Sequence, residues 1–174
     1  MKYLNTSRLK LIACEVRILK AAIESNQQLE KLLHVNVPDH WTEFGMEAMK
    51  YAMNKLAEDE NDHGWWTYLP IHLADHMLIG SCGYKGKPTE DGIVEIGYEV
   101  TPAYRNRGYA TEMCGALLEN AFSYLQVTQV IAHTLAEENA SARVLAKCGF
   151  IQVRELTDPE DGLIWRWETG RKSV

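Results

Sequence analysis

The chain has 174 residues, of which 46% are hydrophobic and 24% charged, and its 18 Lys and Arg against 24 Asp and Glu give a net charge of −6. This length suits one domain, residues 1–174, that buries roughly 70% of the surface of the unfolded chain. The acidic balance argues against a nucleic-acid partner, and the lack of an apolar run of about 20 residues argues against a membrane span, so we expect a cytoplasmic protein.

The first half of the chain predicts one strand followed by helices and a hairpin. Residues 8–13 alternate polar and apolar, as in a strand with one buried face. Apolar residues then recur at helical spacing over 15–33, with a break at Ser25, and a second helical pattern follows Thr42, a residue suited to capping it. Two aromatic and apolar runs, 65–73 and 77–84, are joined by a short polar turn and predict a β-hairpin.

The second half alternates strands with helices. Residues 93–100 predict a strand whose period of two places Glu95, Gly97 and Glu99 on one face. The best-supported helix begins at Ala110 and keeps helical spacing as far as Leu125. The remaining elements are a strand at 129–134, a helix at 141–147 and strands at 150–156 and 163–168.

This order of elements predicts an α+β fold. The seven predicted strands would form one mixed, mostly antiparallel central sheet flanked by the helices.

The spacing of the histidines and cysteines argues against a metal site and against disulfide bonds. Among the six histidines only His72 and His76 have HxxxH spacing, and there is no HExxH motif. The predicted hairpin turn between these two residues keeps their rings off a shared helix face, so we expect no metal site. The four cysteines form no CxxC pair and have apolar or small neighbours, as reduced core thiols do.

The most informative segment runs from Val100 to Thr111, VTPAYRNRGYAT. A strand ends there, and a short loop leads directly into the long helix. The first turn of a helix presents unpaired N–H groups at its positive end, and Gly108 and Ala110 leave room for an anion. Arg105 and Arg107 add positive charge to an otherwise acidic chain. The segment lacks the P-loop and dinucleotide-fold motifs, but it predicts a pyrophosphate-binding loop.

A second motif begins about thirty residues later, EENASARVLAKCGF at Glu137–Phe150. Together with the first motif, with TSRL at residues 6–9 and with EIGY at residues 95–98, it resembles the GNAT superfamily of acyl-CoA-dependent N-acetyltransferases. The resemblance covers nearly the whole chain. It is greatest to the branch of Rim-type enzymes that acetylate ribosomal-protein N-termini.

The resemblance implies an acyl-CoA N-acyltransferase fold, in which the sheet splays between the fourth and fifth strands and holds acetyl-CoA there. The pyrophosphate would bind amides from Arg105 to Ala110, and the pantetheine would run along Glu99 and Val100. The polar residue Asn139 would lie near the thioester, although its spacing from Ser141 is one residue shorter than in many relatives. The cofactor-binding residues implied are Glu99, Val100, Arg105, Asn106, Arg107, Gly108, Tyr109, Ala110, Thr111 and Asn139.

The resemblance also implies direct attack of an amine on the thioester. Glu95 is our first candidate for the general base and Glu99 the second, while Ser141 stands where a general acid is needed in the absence of the tyrosine that some relatives carry. At pH 7 an α-amine with a pKa of about 7.8 is neutral in roughly one molecule in seven, and a lysine in about one in 2,500. A protein N-terminus is therefore the less demanding acceptor.

Three alternatives stay open from the sequence. The acceptor could be a small amine such as an aminoglycoside, a polyamine or an amino acid. The chain could be an acyl-CoA sensor without turnover, and it could act as a homodimer.

Overall fold

The computed structural model describes residues 1–171. Nine strands in that range form a sheet with the order β1-β2-β3-β5-β6-β7-β9-β8, and β4 pairs with β3. The strands are β1 Tyr3–Asn5, β2 Leu9–Ala13, β3 Thr67–His72, β4 Met77–Leu78, β5 Gly80–Tyr84, β6 Ile93–Val100, β7 Gln129–Leu135, β8 Ile151–Asp158 and β9 Gly162–Gly170. The helices are α1 Val16–Glu24, α2 Asn26–Leu33, α3 Gly45–Glu58, α4 Tyr109–Ser123 and α5 Ala140–Lys147, with short 3-10 turns at Glu60–Asp62 and Pro102–Tyr104.

One pair of neighbouring strands divides the sheet. All other pairings are antiparallel, but β6 and β7 run parallel and join through only three residue pairs, from Ile93↔Gln129 to Glu95↔Ile131. Beyond these pairs the two strands separate. We call the opening between residues 96–100 of β6 and 132–135 of β7 the cleft. Both the mixed sheet flanked by helices and its splay at the fourth and fifth predicted strands are confirmed.

Helices cover the two faces of the sheet, and each face has its own core. On the α4 face, buried strand side chains such as Leu11 and Val94 share a core with Met113, Cys114 and Leu117 of that helix. On the other face α1, α2 and α3 cover β2, β3 and β4, with a core that includes Ile18, Leu29, Met49, Leu69 and Leu78. On this second face, the side of β6 that carries Glu95, Gly97 and Glu99 faces the segment just before α3, where the amides of Glu43 and Phe44 donate to Glu99.

The structure differs from the sequence prediction at three places. It has nine strands rather than about seven, because the three-residue β1 is too short to show a period and the predicted strand 77–84 is divided at Ile79. Helix α4 ends at Ser123, so Leu125 lies outside it and is 90% exposed. Helix α3 begins at Gly45, three residues after the predicted cap Thr42, whose hydroxyl accepts a hydrogen bond from the Gly45 amide at 3.1 Å.

Of the helices in residues 1–171, none combines the length and the apolar character that a membrane span requires.

Candidate active site

The turn from β6 into α4 leaves the start of this helix uncapped. Gly108 is the N-cap residue, its φ is +83°, and its position supplies no side chain to cap the first-turn amides. The first bond of the helix runs from the Glu112 amide to the Gly108 carbonyl, at 3.1 Å. The amides of Tyr109, Ala110 and Thr111 therefore precede the hydrogen-bonded ladder and can bind an anion.

Three guanidinium groups surround this turn, of which the sequence analysis identified two. Arg105 donates from Nε to the Val100 carbonyl at 2.8 Å and pairs with Glu43. The Arg107 guanidinium lies 5.6 Å from the centre of the Tyr104 ring. The third is Arg8, which donates to the Arg107 carbonyl at 3.0 Å and has its guanidinium 4.2 Å from the Tyr109 ring centre. The Arg8 guanidinium is also 3.5 Å from the position that a Cβ on Gly108 would take.

A single carboxylate, that of Glu112 in the first turn of α4, holds Arg8 in this place. It accepts hydrogen bonds from the Thr6 hydroxyl, from the Arg8 amide at 2.9 Å and from Arg8 Nε at 2.8 Å. Burial raises the pKa of Glu112, but these bonds and the Arg8 charge outweigh burial and hold the pKa below its usual value. The TSRL motif is thus the partner of the α4 start.

The other side of the turn is fixed by aromatic side chains that bond to the hairpin of β3 and β4. The Tyr109 hydroxyl is 2.8 Å from His72 Nε2, and His72 Nδ1 is 3.0 Å from Asp75 Oδ2. Tyr104 donates to the same Asp75 oxygen at 2.7 Å. Burial, followed by this bond, raises the pKa of Tyr104 to about 12. The side chain of Tyr109 is therefore turned away from the loop, and only its amide is available there.

Beside this turn, the cleft exposes backbone groups of β6. Lys85 donates its amide to the Glu95 carbonyl, and the Thr101 amide donates to Ile79. Because the bonds of an antiparallel pair alternate, the odd-numbered residues of β6 bond to β5 and the amides of Tyr98 and Val100 point into the cleft. These amides can bind an extended ligand or polarise a carbonyl.

Helix α5 forms the far wall of the cleft and brings two predicted residues there. Asn139 is its N-cap and accepts from the Ala142 amide at 2.9 Å, so the side-chain oxygen of Asn139 is occupied. The Ser141 hydroxyl is 3.1 Å from the hydroxyl of Tyr98, which the sequence analysis did not single out. Burial raises the pKa of Tyr98 well above its usual value, and the bond to Ser141 only partly offsets this effect. A proton can pass along this pair of hydroxyls.

Glu95 lies on the opposite face of β6, at the last pair before the cleft opens. Its carboxylate binds Lys85 Nζ and lies 3.0 Å from His133 Nδ1. Burial raises the pKa of Glu95, but the hydrogen bonds and charges of Lys85 and His133 outweigh burial and lower it. His133 was not predicted for the site, because the pair depends on the parallel register of β6 and β7.

Glu99 follows Gly97 by two residues and lies on the same face of β6. It is 9% exposed, and both of its carboxylate oxygens accept hydrogen bonds. It accepts from the hydroxyls of Thr42 and Ser81, both at 2.6 Å, and from the amides of Glu43 and Phe44 at 2.7 and 3.1 Å. Glu99 thus ties β6 to the segment before α3. Between Glu95 and Glu99, a Cβ on Gly97 would meet nothing within 4 Å, so open space lies over the middle of this strand.

The predicted loop residues 105–111 therefore lie together at the start of α4. The two predicted catalytic residues lie apart: Glu95 is on the face of β6 that is turned away from α4, and Ser141 is on α5. Asn106 lies in the loop with a φ of +59°, a conformation that asparagine tolerates. Within residues 1–171, no three His, Cys, Asp or Glu side chains are grouped as a metal would need.

A splayed sheet with an uncapped helix start beside the cleft defines the acyl-CoA N-acyltransferase class. Residues 17–151 match the family model described as the acetyltransferase (GNAT) domain. The chain belongs to the GNAT family and is an N-acetyltransferase.

Relatives and solved structures agree with this assignment. The uncharacterized N-acetyltransferase YnaD of Bacillus subtilis is 40% identical over 153 residues, which are 84% of this chain and 81% of YnaD. The fold resembles RimL, a ribosomal L7/L12 alpha-N-protein acetyltransferase solved with coenzyme A, with a TM-score of 0.72, 13% identity and coverage of 97% and 98% of the two chains. It also resembles the dodecameric spermidine N-acetyltransferase of Vibrio cholerae, with a TM-score of 0.67, 16% identity and 95% coverage of each chain.

Proposed function

We propose that this chain binds acetyl-CoA in the cleft and transfers the acetyl group by direct attack to the α-amine of a protein or peptide N-terminus. The observation that carries the proposal is the arrangement of three features along β6. Free amides at the start of α4 suit the pyrophosphate, free amides of Tyr98 and Val100 suit the pantetheine and thioester, and Glu95 lies where the strands separate.

Three arginines support the binding of the anionic end. Arg8 and Arg107 carry charge beside the α4 start, and Arg105 braces the end of β6 through the Val100 carbonyl. A chain with a net charge of −6 concentrates positive charge here, which favours a ligand with several phosphate charges.

Residues on the α5 side of the cleft protonate the thiolate that leaves. Ser141 donates a proton to the leaving sulfur, and the Tyr98 hydroxyl at 3.1 Å holds Ser141 in place. The amides of β6 that face the cleft stabilise the negative charge that develops on the thioester oxygen.

The state of Glu95 favours an α-amine over a lysine as the acceptor. A carboxylate whose pKa is lowered is a weak base, so the site suits an amine that is already neutral in an appreciable fraction of molecules. The opening on this side is mixed in character, since Phe44 is 59% exposed beside the acidic Glu43. A peptide presents backbone and side chains that suit such a surface.

The experiment is thiol release from acetyl-CoA with matched acceptors. One peptide is supplied with a free N-terminus and with a formylated one, each containing a lysine, and spermidine and free amino acids are run in parallel. Release that depends on the free N-terminus supports the proposal. Release with spermidine and with neither peptide would transfer the assignment to small polyamines, and equal release with the free and the formylated peptide would transfer it to lysine side chains.

A further inference from the structure

His133 lies beside the cleft on the acceptor side. It follows Ile131, the last β7 residue paired with β6, by two positions, so its side chain is on the same face as those of Ile131 and Glu95. This face is opposite to the one that packs on α4. The His133 and Glu95 side chains are each 21% exposed, so a ligand can reach them although both are largely buried.

The contact between the two residues fixes the state of the imidazole. A carboxylate only accepts hydrogen bonds, so His133 Nδ1, at 3.0 Å from Glu95 Oε1, carries the hydrogen. The lone pair of the neutral ring is then on Nε2. Within residues 1–171, no hydrogen bond occupies this nitrogen, and it is not among the buried polar atoms without a partner. It is therefore an available base.

We infer that His133 takes the proton from the acceptor amine and that Glu95 is the residue that positions it. The inference rests on the proposed function and names the atom that performs the base step. A carboxylate bound by both Lys85 and His133 has little tendency to accept a proton, whereas imidazole is the side chain that titrates near neutral pH.

The proton and electron balance of the step is complete. His133 Nε2 removes one proton from the acceptor ammonium, and the lone pair of nitrogen forms a bond to the thioester carbon. Collapse of the tetrahedral adduct breaks the carbon–sulfur bond, and the electron pair leaves on sulfur. The sulfur is protonated through Ser141, the second amine proton restores that hydroxyl, and the imidazolium releases its proton to solvent. The products are an amide, coenzyme A and one proton.

Other charged groups face His133. Lys85 binds the same Glu95 oxygen, and Asp158 at the end of β8 is near enough to interact with both Lys85 and His133. Arg166 is directly opposite His133 on β9 and is partly neutralised by Glu168 at 2.7 Å. Charges of both signs thus surround the ring, and the open space over Gly97 gives an acceptor a way to approach.

The test compares His133→Gln with wild type and with Glu95→Gln, using the N-terminal peptide and acetyl-CoA at saturation. In wild type, kcat should fall on the acid side of its pH profile, because the base must be free of its proton. In His133→Gln we expect kcat to fall by about 10²–10⁴ and this limb to vanish, while the Kd for acetyl-CoA, measured by calorimetry, stays within about threefold. Glu95→Gln should lose activity but keep the limb.

Two further measurements separate chemistry from structure. Imidazole added to His133→Ala should restore part of the rate, which a purely structural residue would not show. Nitrogen NMR of the wild-type chain should find the neutral His133 ring protonated on Nδ1, with or without turnover. A His133→Gln variant that keeps half of the wild-type kcat, or the opposite tautomer in NMR, overturns the inference. Absence of amine-dependent release by wild type, with acetyl-CoA still bound and the expected tautomer present, counts instead against the proposed function.

Discussion

The uncapped start of α4 gives the sharpest test of acetyl-CoA binding. Gly108 adopts a positive φ, which Asn and Asp tolerate better than other side chains. Gly108→Asn and Gly108→Asp therefore impose similar backbone strain and similar bulk. Both side chains can also accept a hydrogen bond from the first-turn amides, so the two variants differ only in charge.

The size of the charge effect follows from Coulomb's law. A carboxylate at the N-cap would lie about 6 Å from a phosphate bound to the next amides, and each pair of unit charges at that distance interacts by about 0.7 kcal/mol in water and about 2.8 kcal/mol at an effective dielectric of 20. With two charges on the diphosphate, the Asp variant should bind acetyl-CoA at least about tenfold more weakly than the Asn variant. Added salt should reduce this ratio.

The unliganded variants should show the opposite order of stability. An Asp carboxylate at the positive end of a helix stabilises it by about 0.3–1 kcal/mol relative to the neutral residue. Calorimetric titration with acetyl-CoA and thermal unfolding without it measure the two effects on the same samples. Equal affinities for the two variants would show that the pyrophosphate does not bind at the α4 start.

Three other changes test parts of the site. Glu99→Gln keeps one oxygen for the amides of Glu43 and Phe44 but places an NH₂ group where the Thr42 and Ser81 hydroxyls now donate, and it should reduce the free energy of unfolding in urea by about 1–3 kcal/mol; a loss under about 0.5 kcal/mol would mean that the network around Glu99 does not support the fold. Tyr98→Phe removes the partner of Ser141 and should lower kcat about tenfold with a smaller effect on KM for acetyl-CoA, whereas an effect on KM alone would assign Tyr98 to binding. The pKa of Glu112 is lowered in the folded state, so the carboxylate should stabilise the fold fully at pH 7 and lose this effect as the pH falls below about 4.3. Wild type and Glu112→Gln should therefore converge in stability in acid. A constant difference in stability between them would exclude the carboxylate charge as the source.

Local sequence signals predicted the elements that depend on local physics. Helical spacing identified α4, and the polar residue Ser25 marked the boundary between α1 and α2, where its hydroxyl accepts from the Gln28 amide. Proline and glycine marked the loop after β6. Such signals act over a few residues, so a pattern within the sequence is sufficient to find them.

The parts that were missed depend on contacts between distant residues. Arg8 and Glu112 are 104 positions apart, and Glu95 and His133 are 38 apart. Neither pair has a local pattern, since each charged side chain alone is typical of an exposed surface. The parallel register of β6 and β7 brings the second pair together, and this register is a property of the whole sheet.

The three-pair junction between β6 and β7 should affect the resistance of the protein to proteolysis. The half of the sheet made of β7, β8 and β9 is attached along that seam by few backbone bonds, so it is the part of the chain that should open first in local unfolding. A ligand seated in the cleft would bridge both halves and stabilise the closed form in proportion to the logarithm of its concentration. The resistance of this chain to proteolysis would then report the supply of its own acetyl donor.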